Sequence, residues 1–342
     1  MAVSSIICKS HLAFDSNCRD SGWLQDPIAQ MSAGTKRHIS GVLLLDKAGG
    51  FSSNQALQTA KRIFSAHKAG HTGTLDPMAT GLLPICFGEA TKFSSALLRA
   101  DKTYEATLRL GYMSTTGDAE GEISIAAGAD RQCMELPWEK IETVCKSFIG
   151  VITQVPPMYS AIKHRGKPMY TFARAGVEIE RRPREITIHD LSIEAYQGDE
   201  IRMRVTCGSG TYVRTLAEDL GRALGCGGAY LTALCRSALG GFDLPQAHTL
   251  TALEAMSPSQ RDSCLLPADS LLRSFPAVIV DSAAALSLLQ GRAISGHPAG
   301  ESLSPGRQVR LYDKRQRFLG LGEISTEGYV SPKRLIKAEQ SL

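Results

Sequence analysis

The chain has 342 residues, of which 43% are hydrophobic, and its formal net charge at pH 7 is +4. The apolar content is sufficient for a sizeable core, and the length favours two domains. No stretch reaches the roughly 18 to 20 consecutive apolar residues of a membrane span, so we expect no membrane association. The weak positive charge predicts that any nucleic-acid binding depends on a local basic patch rather than on a global field.

The nine cysteines are odd in number, scattered, and contain no Cys-x-x-Cys pair. This pattern favours free thiols in a reducing compartment over disulfides or a zinc site, so we predict a cytoplasmic protein without a metal centre. The first thirty residues show no sustained periodicity and lack the features of a secretory signal. We therefore expect 1–36 to be a disordered extension, with Met31 as a second candidate start.

In chain order, the first predicted elements are a buried strand over 41–46 and a helix that begins with a Ser-x-x-Gln capping box at Ser52 and Gln55. A short helix is expected between about residues 90 and 97. Strict alternation of apolar and polar residues then predicts a strand over 102–110.

The middle of the chain continues this mixture of helices and strands. Pro137 at a first helical position and Gly150 as a stop predict a third helix, with Trp138 on its apolar stripe. Strands are predicted over 186–188 and 201–207 from their apolar or alternating residues.

A further helix is predicted from about Tyr212 to Leu224, with Arg214 in its first turn. A cation there opposes the helix dipole by a few tenths to about 1 kcal/mol, so this placement favours an anionic partner. From about Phe275 the pattern changes to short strands and one helix, which predicts a small β-rich second domain. The lack of regular βαβ alternation indicates an α+β class with a largely antiparallel sheet.

The most informative segment is 70–81, GHTGTLDPMATG, in which Asp76 is the only acidic residue. Its three glycines and one proline specify an irregular backbone that neither a helix nor a strand would adopt. We interpret it as an active-site loop, and a simple turn is the alternative. A P-loop is excluded because no Gly-Lys-Ser/Thr sequence ends the segment.

This segment closely resembles the catalytic motif of the TruB-type pseudouridine synthases, which isomerise uridine 55 in the TΨC arm of bacterial tRNA. Seven further blocks resemble the family in the same order, from about residue 38 towards the C-terminus. They are GVLLLDK at 41–47, SSN at 52–54, GEATKF at 88–93, DKTY at 101–104, PMYSAIK at 157–163, GTYVR at 210–214 and LCR at 234–236.

The resemblance implies an α+β pseudouridine-synthase fold with a mixed, largely antiparallel central sheet, flanking helices and a small β-rich PUA-like C-terminal domain. We predict a catalytic domain over 37–272 that includes a thumb-like RNA-binding loop at about 157–184. The PUA-like RNA-binding domain is predicted over 273–339.

The family motif assigns the catalytic carboxylate to Asp76, which either attacks C1′ of the nucleotide or removes a proton from C2′. Both routes need the ionised form. Arg214 matches the arginine that pairs with this acid, and we expect it to lower the pKa of Asp76 by roughly 1 to 3 units. Asp118 is expected to be structural.

The same resemblance assigns roles to four other residues of the pocket. Tyr104 is expected to stack on the flipped base and to accept the C5 proton at the end of the reaction. His71 is expected to wedge into the RNA when the uridine leaves its stack. Tyr212 and Leu234 are expected to form apolar walls that exclude water.

RNA binding is predicted for basic residues of the matched blocks and of the thumb-like loop. Lys163 and Arg165 lie among aromatic residues in that loop, a combination that suits phosphates and splayed bases. Lys47, Lys92 and Arg236 are also predicted to contact RNA.

The reaction implied by the resemblance breaks the C1′–N1 bond and rejoins the uracil through C5 without a net redox change, so no cofactor is expected. We predict an active tRNA uridine-55 isomerase that works as a monomer on the TΨC arm without an obligate protein partner. One alternative is a tRNA-binding folding chaperone in which modification is secondary. Another is a related synthase that acts on a different RNA with a guide.

Overall fold

A ten-stranded sheet and a five-stranded sheet, each with attached helices, form most of the described chain. The structure is a computed structural model that describes residues 35–129, 135–295 and 304–337. Nearly all of the predicted N-terminal extension, including the candidate start at Met31, lies outside the described residues.

The strands of the first 250 residues belong mainly to the large sheet. They are β1 (Gly41–Lys47), β2 (Ala69–His71), β3 (Thr80–Phe87), β4 (Lys102–Leu110), β5 (Tyr112–Ser114), β6 (Ile123–Ile125), β7 (Gly150–Gln154), β8 (Lys163–His164), β9 (Lys167–Pro168), β10 (Arg184–Gln197), β11 (Glu200–Cys207), β12 (Ala229–Leu239), β13 (Phe242–Asp243) and β14 (His248–Thr249). The order across the large sheet is β14-β1-β3-β12-β4-β11-β10-β7, with β2 beside β3 and β13 beside β12. Only the β1–β14 and β3–β12 pairs of this sheet are parallel in the described chain, so the prediction of a mixed, largely antiparallel sheet is confirmed.

Helices flank both sheets and bury apolar residues against them, with α8 on the C-terminal sheet. The α-helices are α1 (Ser53–Ile63), α2 (Ser95–Leu98), α3 (Trp138–Ser147), α4 (Met169–Arg174), α5 (Val213–Ala223), α6 (Leu250–Ala255), α7 (Pro258–Ser263) and α8 (Ser282–Leu289). Short 3-10 helices span Gly88–Phe93, Leu244–Gln246 and Ala268–Leu272. None of the described helices is long and apolar enough to cross a membrane.

Local sequence signals located several of these elements correctly. The predicted capping box of α1 is present, because the Ser52 side chain accepts from the Gln55 backbone and the Gln55 side chain accepts from the Ser52 backbone. The predicted strand over 102–110 is β4, and its alternating burial places Ala106, Leu108 and Leu110 in the core.

Two predicted helices differ in detail from the structure. The helix expected at about 90–97 is a 3-10 helix followed by the short α2. Pro137 is the N-cap of α3 rather than its first helical residue, and Trp138 is exposed instead of lying on the apolar stripe. Ile141 and Cys145 are the buried residues of α3, and Val144 and Phe148 pack beside them against the core.

The C-terminal sheet has the order β15-β17-β18-β19-β16. Its strands are β15 (Ala277–Val280), β16 (Ile294–Ser295), β17 (Gln308–Asp313), β18 (Phe318–Ile324) and β19 (Tyr329–Leu335). It has a small core of its own, while Leu321 and Phe318 join a cluster with residues of the large sheet and its helices. The rings of Phe93 and Phe318 meet edge to face with centroids 5.4 Å apart. The predicted β-rich C-terminal part is confirmed.

Candidate active site

The Asp76 loop occupies residues 72–79 between β2 and β3 and is held by its backbone. The Ser53 hydroxyl accepts from the Leu75 N–H and donates to the Leu75 carbonyl, both at 2.8 Å. The Lys47 ammonium donates to the Pro77 carbonyl at 3.2 Å. Residues on both sides of Asp76 are therefore anchored, as a loop that must present one side chain in a fixed position requires.

Asp76 and Arg214 form an ion pair at the centre of the site. The Arg214 Nε atom lies 3.0 Å from Asp76 Oδ2, and the side chains are 5% and 35% exposed, respectively. Arg214 stands in the first turn of α5, as predicted, and Asp76 reaches it from the loop. The carboxylate is therefore partly accessible to solvent, while the guanidinium that pairs with it is shielded.

A second carboxylate lies on the other side of Arg214. Asp118 Oδ2 is 3.8 Å from Arg214 Nε, and Asp118 is buried. Its Oδ1 atom accepts from the Thr116 hydroxyl at 2.5 Å and from the Glu120 N–H at 3.1 Å. Asp118 is thus structural, as predicted, but it also adds negative charge next to the ion pair.

The predicted lowering of the Asp76 pKa is wrong. Burial is the largest influence and raises the pKa of Asp76, and Asp118 raises it further. Arg214 and Lys47 act in the opposite direction without reversing the shift. A carboxylate removed from water loses more hydration than this one guanidinium replaces.

Tyr104 lies on β4 opposite Arg236 of β12, and it packs against the main core as the alternation predicts. Burial raises the pKa of the Tyr104 hydroxyl, and the neighbouring Arg236 guanidinium acts to lower it. Asp76 is close enough to Tyr104 to raise this pKa slightly as well. The structure therefore brings Asp76, Tyr104 and Arg214 together.

The remaining predicted pocket residues surround this group. Leu234 is buried in the main core, and the backbone of Tyr212 caps the start of α5. Burial raises the pKa of the Tyr212 hydroxyl, and the nearby Ser160 hydroxyl acts to lower it. His71 ends β2 half-buried, and its Nδ1 atom is buried without a hydrogen-bond partner. Burial and Arg236 lower the pKa of His71, which favours a neutral imidazole.

Two predicted RNA contacts are wrong because the side chains lie in the interior. Lys47 is 0% exposed, and its ammonium donates to the carbonyls of Ala48, Phe51 and Pro77. Arg236 is 1% exposed and donates to backbone carbonyls of β3 and of the Asp76 loop. Neither cation is available to a phosphate group.

The other predicted RNA-binding cations remain at the surface. Lys163 and Arg165 are exposed at the β8–β9 hairpin, beside a cavity of about 680 Å³ that α4 and the chain to Arg184 complete. Lys92 is partly exposed, and its ammonium contacts Glu89 and donates to the Leu335 carbonyl. RNA binding by these three residues stays a prediction.

Sequence reasoning did not identify the residues that support the ion pair. Gln154 is buried at the end of β7 and bonds both backbone polar groups of Tyr212, at 2.8 and 3.1 Å. Arg214 also donates to the carbonyls of Thr116 and Tyr159, each at 2.7 Å. These contacts join residues 55 to 98 positions apart, and carbonyl acceptors leave no signal in the sequence.

Sequence profiles of one family together match residues 61–336 almost without a gap. Residues 61–213 match the N-terminal domain of the TruB family pseudouridylate synthases. Residues 214–273 match the tRNA pseudouridylate synthase B C-terminal domain, and 276–336 match the C-terminal region of pseudouridine synthase II TruB.

Individual relatives give the same result. The chain is 88% identical over 313 residues to the tRNA pseudouridine synthase B of Nitrosospira multiformis, which covers 91% of this chain and 100% of the relative. The chain belongs to the TruB family. A second TruB relative, the tRNA pseudouridine synthase B of Nitrosomonas europaea, is 52% identical over 87% of this chain and 96% of its own length.

Solved structures place the TruB family chain in the expected fold. A structure titled as an H/ACA RNP bound to a substrate RNA containing 2′-deoxyuridine matches with a TM-score of 0.66 at 23% identity, covering 88% of this chain and 86% of the other. A Cbf5-Nop10-Gar1 complex matches with a TM-score of 0.65 at 26% identity, covering 87% and 84%. The pseudouridine-synthase fold predicted from the sequence is confirmed.

Proposed function

We propose that this protein isomerises uridine to pseudouridine at position 55 in the TΨC loop of tRNAs. The observation that carries the proposal is the Asp76–Arg214 pair, in which the carboxylate is 35% exposed and the guanidinium is buried. A glycosidase needs two working carboxylates, one to activate water and one to protonate the leaving group. Here Asp118, the second carboxylate beside Arg214, is buried with its oxygens engaged and is not available for the second task.

The target uridine must leave its stack before Asp76 can reach the sugar. Extrusion costs a few kcal/mol, and stacking of the uracil on Tyr104 returns roughly 1 to 3 kcal/mol. His71 ends β2 just before the Asp76 loop, and it fills the space that the extruded uridine leaves in the RNA stack. Its lowered pKa favours a neutral imidazole, so no charge has to be removed from water when the ring enters the stack.

Asp76 then acts by one of two routes that this geometry serves equally. In the first, a carboxylate oxygen bonds C1′ as the C1′–N1 bond breaks and the electron pair leaves with uracil. In the second, the carboxylate takes the C2′ proton as the same bond breaks, which gives a glycal. The freed uracil anion turns in the pocket and bonds C1′ through C5. In the first route the C1′–O bond to Asp76 breaks in this step, and in the second Asp76 returns the proton to C2′. C5 then loses its proton, and N1 gains one.

Arg214 has two tasks in either route. It opposes the burial that raises the pKa of Asp76, so that more of the carboxylate is ionised. Its three further contacts, with Asp118 and two backbone carbonyls, hold the guanidinium in one orientation. A preorganised partner of this kind needs no reorganisation during the reaction.

The rest of the chain supplies tRNA binding. The loop at about 157–184, with Lys163 and Arg165 exposed, closes over the TΨC arm, and the catalytic domain extends over 37–272. The β-rich part over 273–339 is a PUA-like RNA-binding domain. The protein works in the cytoplasm as a monomer without an obligate protein partner.

The test is to incubate the full chain with an unmodified tRNA transcript and to map pseudouridine at single-nucleotide resolution. We expect product at one uridine of the TΨC loop with the wild type, and none with Asp76→Asn, which should still bind the transcript. A transcript with cytidine at that position is the matched RNA control. Equal product from Asp76→Asn, or product at another uridine, would contradict the proposal.

A further inference from the structure

Arg236 is a buried cation that no acidic side chain neutralises. Within the ranges that the structure describes, no Asp or Glu oxygen lies within 4.0 Å of its guanidinium, and the residue is 1% exposed. A buried charge is costly unless hydrogen bonds replace its lost hydration. The contacts of this guanidinium therefore explain what the residue does.

Two of these contacts are backbone carbonyls on different elements. Arg236 Nε donates to the Leu82 carbonyl on β3 at 2.8 Å, and Nη2 donates to the Gly73 carbonyl at 3.2 Å. Gly73 belongs to the Asp76 loop and has a φ of +76°. A Cβ atom there would lie 3.4 Å from Arg236 Nη1, so glycine leaves the space in which the guanidinium packs on the loop.

The third neighbour of Arg236 is Tyr104. The two residues are direct partners across the β4–β12 pair, so their side chains lie side by side. The guanidinium opposes the rise in the Tyr104 pKa that burial causes. A cation beside the phenol stabilises negative charge on the tyrosine oxygen.

We propose that Arg236 is a positioning residue that links the Gly73 carbonyl of the Asp76 loop to β3 directly beside Tyr104, and so holds the loop in register with the stacking ring. The inference rests on the proposed isomerisation, in which Tyr104 supports the uracil while Asp76 acts on the sugar. In the last step the C5 proton moves to the oxygen of the Tyr104 phenolate, the C5–H electron pair forms the C5=C6 double bond, and the N1=C6 pair moves to N1, which takes a proton from solvent. The Arg236 guanidinium beside the ring increases the fraction of that phenolate, against the burial that disfavours it.

The first test is the titration of Tyr104 in the full chain, followed by NMR of ring-labelled tyrosine. Tyr104→Phe assigns the signal, and the exposed Tyr170 is the internal control. We expect the Tyr104 midpoint to rise by about one pH unit or more in Arg236→Gln. It should rise less in Arg236→Lys, which keeps the charge but has no planar fork to reach both partners.

The second test is the single-turnover rate at saturating tRNA. We expect a fall of roughly tenfold in Arg236→Gln, matching the smaller phenolate fraction, with the Kd for tRNA unchanged. Arg236→Lys should also be slower, because one ammonium does not hold the Leu82 and Gly73 carbonyls together. If Arg236→Gln does not fold, the rate and the Tyr104 midpoint of Arg236→Lys provide the test.

Wild-type rate and an unshifted Tyr104 midpoint in a folded Arg236 variant would overturn the proposal. The titration needs no turnover, so its outcome is separate from that of the proposed function. If the wild type formed no pseudouridine, the isomerase assignment would fail, while the Tyr104 midpoints would still decide whether Arg236 controls the phenol.

Discussion

Arg214 donates a hydrogen bond from Nη2 to the backbone carbonyl of Tyr159 at 2.7 Å. Tyr159 stands at the start of the segment expected to bind RNA, whereas the Nε atom of the same guanidinium pairs with Asp76. Gln154, five residues before Tyr159, bonds both backbone groups of Tyr212 at the start of α5. The chain segment from Gln154 to Tyr159, which leads into the predicted RNA-binding loop, therefore also supports the Asp76–Arg214 ion pair.

Gln154→Leu should weaken this brace. The substitution leaves the N–H and the carbonyl of Tyr212 without their buried partner, which we expect to cost about 1 to 3 kcal/mol of unfolding free energy. Single-turnover pseudouridine formation should fall more than tRNA affinity does, because Arg214 follows Tyr212 by two residues. Chemical denaturation and rapid-quench assays measure the two effects. An active variant with lower stability would show that Gln154 serves the fold alone.

The Asp76 pKa predicts a pH dependence of both activity and stability. Because burial raises this pKa, activity should fall with decreasing pH at a midpoint above the 3.8 of an ordinary aspartate. In the same window the folded wild type holds a proton that the unfolded chain has lost, so wild-type stability decreases as the pH rises. Asp76→Asn has no carboxyl at this position, so its stability does not decrease in this way as the pH rises.

The measurement is the unfolding free energy of the wild type and Asp76→Asn across acidic to neutral pH. We expect the unfolding free energy of the wild type to fall relative to that of the variant as the pH rises through the Asp76 pKa. Well above that pKa the difference between the two free energies should be constant. A difference that moved towards the wild type would mean that the folded-state pKa is lowered.

Lys47→Met tests the buried ammonium that supports the Asp76 loop. The variant loses the donor to three carbonyls, and we expect its unfolding free energy to fall by roughly 1 to 3 kcal/mol. Turnover should also fall, because one of these carbonyls belongs to Pro77, which follows Asp76 directly.

The same residue predicts a pH dependence of stability, because burial lowers the pKa of Lys47 to about 8. Between that pH and 10.5 the unfolded chain binds more protons, so wild-type stability should rise relative to Lys47→Met. Denaturation at pH values across that interval provides the check.

Lys163→Ala and Arg165→Ala should weaken tRNA binding through lost phosphate contacts. Each contact that is removed should reduce the slope of log Kd against log salt by roughly 0.7 to 0.9, with little change in the rate at saturating RNA. Lys146→Ala on α3 is the matched control, since this exposed lysine pairs only weakly with Glu142. Unchanged slopes in both loop variants would remove this hairpin from the RNA-binding surface.

Lys92→Met separates RNA binding from a structural role. The Lys92 ammonium bonds Glu89, which also accepts from the Lys337 N–H. The ammonium also donates to the carbonyl of Leu335 at the end of β19. We expect lower thermal stability and earlier proteolysis of the C-terminal sheet from the loss of these contacts. A reduced salt slope of tRNA binding would support the predicted phosphate contact as well, and an unchanged slope would contradict it.

Local patterns predicted the elements whose stabilising contacts are themselves local. The Ser52–Gln55 capping box, the alternation of β4 and the apolar stripe of α5 depend on residues two to four positions apart, so the sequence is sufficient to identify them. Trp138 is exposed, although its position on α3 predicts a place on the apolar stripe. Which face of a helix is covered depends on the elements packed against it, and the helix sequence alone does not fix them.

By itself the sequence determined the family, the class of fold and the position of the Asp76 loop, since motif composition and order carry that information. Only the tertiary structure decided which cations face solvent and which are buried. Lys47 and Arg236 look like RNA-binding residues in sequence, yet their partners are backbone carbonyls contributed by distant strands and loops. The direction of the Asp76 pKa shift was likewise a tertiary property, because desolvation depends on everything packed around the carboxylate and not on its single nearest charge.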